Sequence, residues 1–283
     1  MKKLIYIFLL AIVSIFMFST CDKIDNPIKE NAPFIWNKRK IIIYDFTGHQ
    51  CIHCTKAHEM ISQLKKQYKE SAGDSAIIPI AIHCGSFANI RTGGEKFRYD
   101  FRTDVGDFLG GRGENLGYYG ELAMPIGLVN NLSKNNLSTI TAWPGETQKY
   151  ISSIPYFFIN ISPNFSVDSI ISCDVKIITN IENSRKLNLI VFLLEDNIIQ
   201  NQQTEEFIAE YQHNNVLRAG FNGAFGEVIK SNSDRLIYLS EINKSVSLSA
   251  KDHDWKIDDC SIVAFVYDSD TQEILQAENC KVR

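Results

Sequence analysis

A pair of cysteines stands where a strand pattern gives way to a helix pattern, and this boundary most constrains the fold. Residues 41–46 (Ile-Ile-Ile-Tyr-Asp-Phe) are typical of a strand, and apolar residues recur at helix spacing over residues 60–64. Cys51 and Cys54 lie between the two, at the predicted start of the helix. Helix N-termini stabilise anions, so a Cys51 thiolate is favoured there, and His53 adds to the effect when protonated. The motif predicts thiol–disulfide exchange in which Cys51 attacks and Cys54 resolves.

A lone CxxC motif also occurs in other kinds of site. It forms static disulfides, and it supplies half of many zinc sites, which need two further ligands. The sequence contains no second CxxC pair. We therefore predict no metal and no cofactor beyond a redox-active disulfide, and the static disulfide remains the alternative.

A second stretch strengthens the redox interpretation. Residues 119–125 read Tyr-Gly-Glu-Leu-Ala-Met-Pro. They resemble the segment of thioredoxin-like domains in which a tyrosine–glycine pair precedes a cis-proline that faces the CxxC motif. The resemblance puts Pro125 in the cis-proline position, with Met124 before it. A cis X–Pro bond there presents the preceding backbone to a substrate strand.

The elements around these motifs predict an α/β domain over residues 38–156. The CxxC helix is expected to end near residues 71–73, and the apolar run 76–83 predicts a central strand parallel to the first. Residues 85–118 form a long insert that we interpret as a cover over the site. A strand at 126–130 and a helix at 141–154, capped by Thr141, complete the thioredoxin-like domain.

From residue 157 onward the pattern is entirely β. Segments 169–179, 187–194, 260–267 and 273–282 are rich in apolar β-formers and are separated by turn residues. No helical unit alternates with them, so we predict an antiparallel β-sandwich domain over residues 157–283. The predicted fold class is therefore α/β plus all-β.

The last two strands predict a disulfide. If Tyr267 pairs with Glu273, the register places Cys260 opposite Cys280 on one face of the hairpin. Opposite residues in a non-hydrogen-bonded pair have Cα atoms about 4.5 Å apart, close to the range of a disulfide. The competing arrangement joins Cys173 to one of the two across the sheets.

A long polar and aromatic stretch interrupts the β pattern at residues 200–226. Within it, His213, Asn214 and Arg218 are candidates for a ligand-binding loop. The alternative is a loop that satisfies its polar groups internally.

The N-terminus carries a targeting signal. Two lysines precede an apolar run at residues 4–18, which is shorter than the roughly 20 residues of a membrane span, and small residues lead to Cys21. Residues 1–20 resemble a lipoprotein signal peptide, which implies that lipid on Cys21 attaches the chain to a membrane. An ordinary secretory signal and an uncleaved anchor are the alternatives. Residues 21–37 are interpreted as a tether.

The formal net charge of −4 indicates no nucleic-acid partner. Phe-Thr-Gly before the CxxC motif, Glu-Asp-Asn-Ile at 195–198 and Tyr-x-His-Asn-x-Val-Leu-Arg at 211–218 together resemble the Omp28-related family of Bacteroidota outer-membrane lipoproteins. That resemblance implies an outer-membrane lipoprotein of the cell envelope. Family members commonly have proline after the second cysteine, where this chain has Thr55, so helix entry is less rigidly set.

Two functions are compatible with these observations. The first is thiol–disulfide exchange on an envelope protein. The second is a non-enzymatic adhesion or binding module for a surface ligand, in which the CxxC pair is a structural disulfide.

Overall fold

The computed structural model describes residues 38–73, 75–232 and 234–283. The predicted signal peptide, the tether and the lipidation site Cys21 lie outside this range. All described residues belong to one compact unit. None of the helices in this range is both long enough and apolar enough to span a bilayer.

Three α-helices and fourteen strands make up the described chain. The helices are α1 (Thr55–Ala72), α2 (Asp104–Gly110) and α3 (Trp143–Ile151). The first strands are β1 (Ile41–Thr47), β2 (Ile77–His83), β3 (Ile126–Val129) and β4 (Ser138–Thr139). Next come β5 (Phe157–Phe165), β6 (Ile170–Thr179), β7 (Leu187–Glu195), β8 (Ile198–Gln203) and β9 (Phe207–His213). The last are β10 (Val216–Gly220), β11 (Glu227–Lys230), β12 (Glu241–Ser249), β13 (Cys260–Asp268) and β14 (Ile274–Lys281).

The segment around the cysteines folds as its pattern predicts. Strand β1 is buried at all of its positions, and it pairs in parallel with β2 across the α1 crossover. Helix α1 buries Ala57, Ile61 and Leu64, which are spaced to share one face, against Ile41 and Ile43 of β1. Helix α3 covers the same face through Trp143 and Ile151. Its N-cap is Ala142, which makes no side-chain cap, so the predicted Thr141 cap is wrong.

One nine-stranded sheet runs through both predicted segments. Its order is β14-β13-β7-β10-β2-β1-β3-β4, with β11 also paired to β7. Strand β10 makes the connection, because it lies antiparallel to β7 and pairs with β2 through Val216 and Ala81. The predicted change to β structure near residue 157 is observed, and the strands that follow extend the sheet that precedes them.

A three-stranded sheet, β12-β6-β5, forms a second layer. Its buried face, which includes Phe157, Ile171 and Val175, packs on Leu189, Leu193 and other apolar side chains of β7, β13 and β14. The opposite face of the large sheet is covered by α2, through Val105 and Leu109, together with Tyr119. The chain is thus rich in β structure with few helices, and part of the large sheet has a second sheet packed on it.

The expected Cys260–Cys280 disulfide is wrong. Cys280 pairs with Ile262, and the Val282 N–H donates to the Cys260 carbonyl, so the two cysteines are out of register. The shift has two parts: Tyr267 pairs with Ile274 instead of Glu273, and an irregularity between Val266 and Tyr267 displaces every pair beyond it by one more residue. Cys260, Cys280 and Cys173 are all free thiols in the described chain.

Candidate functional site

The CxxC loop is built tightly against its neighbours. Cys51 and Cys54 form a disulfide with their Cα atoms 5.5 Å apart, and Cys54 immediately precedes α1. A Cβ atom on Gly48 would lie 2.5 Å from the carbonyl carbon of Phe87, and the Gln50 N–H donates to the Phe87 carbonyl at 3.0 Å. Only glycine fits so close to a backbone, which explains Gly48 in the Phe-Thr-Gly motif.

The proline predicted to face this loop is in the cis form, as expected. Strand β3 begins directly after Pro125, and its Ile126 pairs with Phe46 near the end of β1. Pro125 therefore lies at the end of β1 from which the CxxC loop departs. The ring of Tyr119, from the Tyr-Gly pair, packs on Phe46 with centroids 5.3 Å apart. The cysteines are far in sequence from Tyr119 and Pro125, and the fold brings all of them to the same end of β1.

Neither cysteine is open to solvent. Cys51 is 2% exposed and Cys54 is fully buried. Exposure therefore does not distinguish the two thiols. Ile52 and His53 between them are exposed, and His53 lines a groove beside α1.

The β8–β9 hairpin is bonded to the loop that carries these two cysteines. The Gln202 side chain is 1% exposed, and its amide donates to the Cys51 carbonyl at 3.1 Å. The backbone N–H of Gln203 donates to the His49 carbonyl at 2.7 Å. The hairpin thus bonds to the loop that carries the disulfide, although about 150 residues separate them in sequence.

A buried carboxylate lies beneath the first turn of α1. Asp45 is fully buried on the β1 face that packs against α1, and its Oδ2 is 3.4 Å from Nε2 of His58. The other ring nitrogen of His58, Nδ1, is 2.7 Å from the Tyr211 hydroxyl on β9. We did not predict this chain of three groups. Asp45 is the one charged residue in β1, and that signal was available in the sequence, whereas the contribution of Tyr211 depends on tertiary structure.

The predicted binding loop does not form one site. Its three residues lie on or beside β9 and β10 and have separate surroundings. His213 is buried against Phe101, with ring centroids 4.5 Å apart, and burial lowers its pKa to about 3. Asn214 is exposed and accepts a hydrogen bond from the Asn197 N–H.

Arg218 is the third residue of that prediction, and it is also buried. Its Nε is 3.3 Å from Oε2 of Glu195, and its guanidinium donates to the Tyr99 hydroxyl at 2.9 Å. A second ion pair joins it to Asp254. The physical reason for the correction is that the three side chains have separate surroundings, and that Arg218 is paired with acidic groups inside the protein.

A cluster of histidine and aromatic side chains lies next to the loop that carries the cysteines. Phe101, from the insert at residues 85–118, stacks on His83 at 4.3 Å between centroids and also contacts His213. Burial lowers the pKa of His83 well below its usual value, so the ring is neutral at neutral pH. The insert therefore covers the end of β2 with aromatic side chains, and it contains the short helix α2.

Comparison with solved structures gives two similar proteins from Porphyromonas gingivalis. HBP35 matches with a TM-score of 0.61 at 14% identity, over 87% of this chain and 76% of its own, which shows a shared fold. A domain of the outer membrane lipoprotein Omp28 matches at 23% identity over 46% of this chain and 91% of its own. The TM-score of that second match is only 0.32, so we draw no structural conclusion from it.

Comparison of sequences identifies the family. No curated protein sequence matches the chain. The family model described as outer membrane protein Omp28 matches residues 115–283, which is more than half of the chain. The predicted family resemblance and the predicted outer-membrane localisation are thereby confirmed. The chain belongs to the Omp28 family of outer membrane proteins.

Proposed function

We propose that this outer-membrane protein exchanges thiols and disulfides with other proteins of the cell envelope through Cys51 and Cys54. The observation that carries the proposal is the Cys51–Cys54 disulfide at the start of α1, at the end of β1 where the Pro125 segment also lies. A thiolate at a helix N-terminus is a better nucleophile and leaving group at neutral pH than an ordinary cysteine.

The surrounding elements support a thioredoxin-like interpretation of residues 38–156. Strands β1 and β2 are parallel across α1, and β3 runs antiparallel to β1. Helices α1 and α3 pack on the same face of this part of the sheet. This arrangement resembles the thioredoxin-like domains in which a CxxC pair reacts by disulfide exchange.

Asp45 supplies a proton acceptor in this mechanism. Its carboxylate lies at the interface of β1 and α1, beneath the turn that begins at Cys54. When Cys54 attacks a mixed disulfide on Cys51, it must first lose its proton, and a buried carboxylate is suited to take it. The Cys54 thiolate then forms the bond to Cys51, and the substrate sulfur leaves with the electron pair.

The reduction potential of the Cys51–Cys54 pair tests the proposal. We expect a value between about −120 and −270 mV, the range of exchanging dithiols. The intact protein is equilibrated in glutathione or dithiothreitol buffers and alkylated, and the tryptic peptide 41–56, which carries both cysteines, is quantified by mass spectrometry. A value below about −300 mV marks a structural bond and overturns the proposal. In a parallel sample, Cys54→Ser is expected to retain a mixed disulfide on Cys51.

A second candidate function is a non-enzymatic binding or adhesion module for a surface ligand. The burial of both cysteines in a loop bonded to the β8–β9 hairpin favours it, because a structural disulfide needs no access to solvent. The potential separates the two functions, since this candidate requires the more negative value.

We also propose that Cys21 carries the lipid that holds the protein to the membrane. The proposal rests on the lysines, apolar run and small residues that precede Cys21. Cys21→Ser is expected to move the protein from the membrane fraction to the soluble fraction, measured by fractionation and immunoblotting, with Cys84→Ser as the control cysteine variant. A variant that stays in the membrane with residues 1–20 retained would identify an uncleaved anchor.

A further inference from the structure

The carboxylate of Asp45 lacks the partners that burial requires. It is fully buried, and within the described chain neither of its oxygens has a hydrogen-bond partner. A buried charge without partners is costly, so such a group either becomes protonated or is compensated by a nearby charge. The imidazole of His58, 3.4 Å away, is the group placed to compensate it.

His58 connects this carboxylate to the start of α1 and to solvent. His58 lies one turn after Cys54, and its backbone N–H donates to the Cys54 carbonyl at 3.4 Å. Both residues therefore share one side of the helix. Its side chain is 24% exposed, whereas that of Asp45 is 1% exposed. The histidine therefore spans the boundary between the buried carboxylate and the surface.

Tyr211 continues the chain of polar groups outward. Its hydroxyl is 2.7 Å from Nδ1 of His58. Burial raises the pKa of Tyr211 to about 12, so the hydroxyl keeps its proton at neutral pH and can both accept and donate a hydrogen bond. Two cavities, of about 410 and 730 Å³, meet at this point, because His58, Ser62 and Tyr211 line both of them.

We propose that His58 relays protons between Asp45 and the groove beside α1, with Tyr211 as the exit group. This inference rests on the proposed exchange function and specifies how its proton acceptor is reset. His58 acts through Asp45 and is a positioning residue, not a group that reacts with the disulfide. No sequence motif indicated this role.

In one turnover, one proton passes from Cys54 to the water in the groove. Asp45 receives the proton of Cys54 when the Cys51–Cys54 bond forms and the substrate leaves as a thiolate. Nε2 of His58 then takes that proton, and Nδ1 releases its own through the Tyr211 hydroxyl to water in the groove. When a thiol reduces the Cys51–Cys54 disulfide by attacking Cys51, the same groups deliver a proton to the departing Cys54 thiolate.

Other titratable groups also face His58. His83 and His213 lie behind it in the protein and interact with it electrostatically. Those across or along the groove are His53, Lys56, Glu59, Lys65, Asp196, Glu205 and Glu206. Since charges of both signs line the groove, a change at His58 must be compared with a neutral change on the same wall.

The test compares His58→Gln with Ser62→Ala, which alters an exposed residue of the same groove and helix face. The rate of reduction of the disulfide by dithiothreitol is measured between pH 5 and 8 and is expressed as a ratio to the wild type. We expect His58→Gln to be about tenfold slower at the acidic end, with the difference shrinking as pH rises, because general acid catalysis loses importance there. Ser62→Ala should keep a ratio near one throughout.

A second variant guards against misfolding of the first. Tyr211→Phe keeps the ring and removes only the hydroxyl, so it should change the pH profile in the same direction with a smaller amplitude. If the pH profiles of the reduction rate in both variants are parallel to that of the wild type, the relay is wrong, but the exchange function is unaffected. A wild-type disulfide that does not react at any pH overturns the exchange function, and the relay with it.

Discussion

Gln202→Ala is expected to speed the reduction of the Cys51–Cys54 disulfide by dithiothreitol about tenfold. The Gln202 amide bonds to the Cys51 carbonyl at 3.1 Å and to the Gly48 carbonyl at 3.5 Å, and both contacts hold the hairpin on the loop. Net hydrogen-bond contributions are about 0.5–1.5 kcal/mol each, and a loss of about 1.4 kcal/mol raises the open population roughly tenfold. Alkylation of the released thiols over time measures the rate.

Gln203→Ala is the matched control for this experiment. It removes the same kind of side chain from the next position, but the Gln203 amide bonds only to the Thr204 carbonyl of the hairpin itself. The bond from its backbone N–H to His49 is unaffected. Equal reduction rates in Gln202→Ala, Gln203→Ala and the wild type would show that the hairpin does not limit access to the disulfide.

Gly127→Ala is expected to destabilise the protein by about 3 kcal/mol, at the upper end for an overpacked core. A Cβ atom there would lie 2.1 Å from the Tyr44 carbonyl oxygen and 2.7 Å from the Trp143 ring. Both neighbours are fixed, because Tyr44 belongs to β1 and Trp143 is fully buried. For a chain of this size the loss corresponds to a Tm about 6–12 °C lower, measured by circular dichroism.

Gly145→Ala makes the same chemical change where space is available. Apart from its chain neighbours and the backbone of its own helix, no atom of the described residues lies within 4 Å of a Cβ built on Gly145, in the first turn of α3. Alanine is about 1 kcal/mol better than glycine in a helix interior, so the Tm of this variant should stay level or rise. A Gly127→Ala protein as stable as Gly145→Ala would contradict the packing described here.

The elements that carry the cysteines were predictable because their signals are local. A run of isoleucines in β1, apolar spacing in α1 and a second apolar run in β2 each specify one element, and short-range rules join them into a parallel pair. The cis state of Pro125 was also predicted, from its resemblance to a known segment. The family assignment rested on motifs that are contiguous in sequence, and it is confirmed.

What was missed depends on contacts between distant residues. The pairing of Tyr267 with Ile274 and an irregularity beside Tyr267 together placed Cys280 opposite Ile262, and no local sequence pattern indicates either shift. The role of Gln202 was hidden for the same reason, because its partners lie about 150 residues earlier in the chain. The predicted binding loop does not form one site, because Arg218 is buried with acidic partners and His213 is buried against Phe101.

The position of β10 between β2 and β7 bears on how the chain can be divided. If the polypeptide ended after residue 156, β2 would become an edge strand with unpaired backbone groups, a common starting point for aggregation. Its side chains Ile80 and Ile82 would also lose Phe192 and Leu217, which belong to the same apolar cluster. We therefore expect that neither half folds stably without the other. Loss of the β10 pairing would destabilise β2, and with it the neighbouring strand β1 that leads to the cysteines.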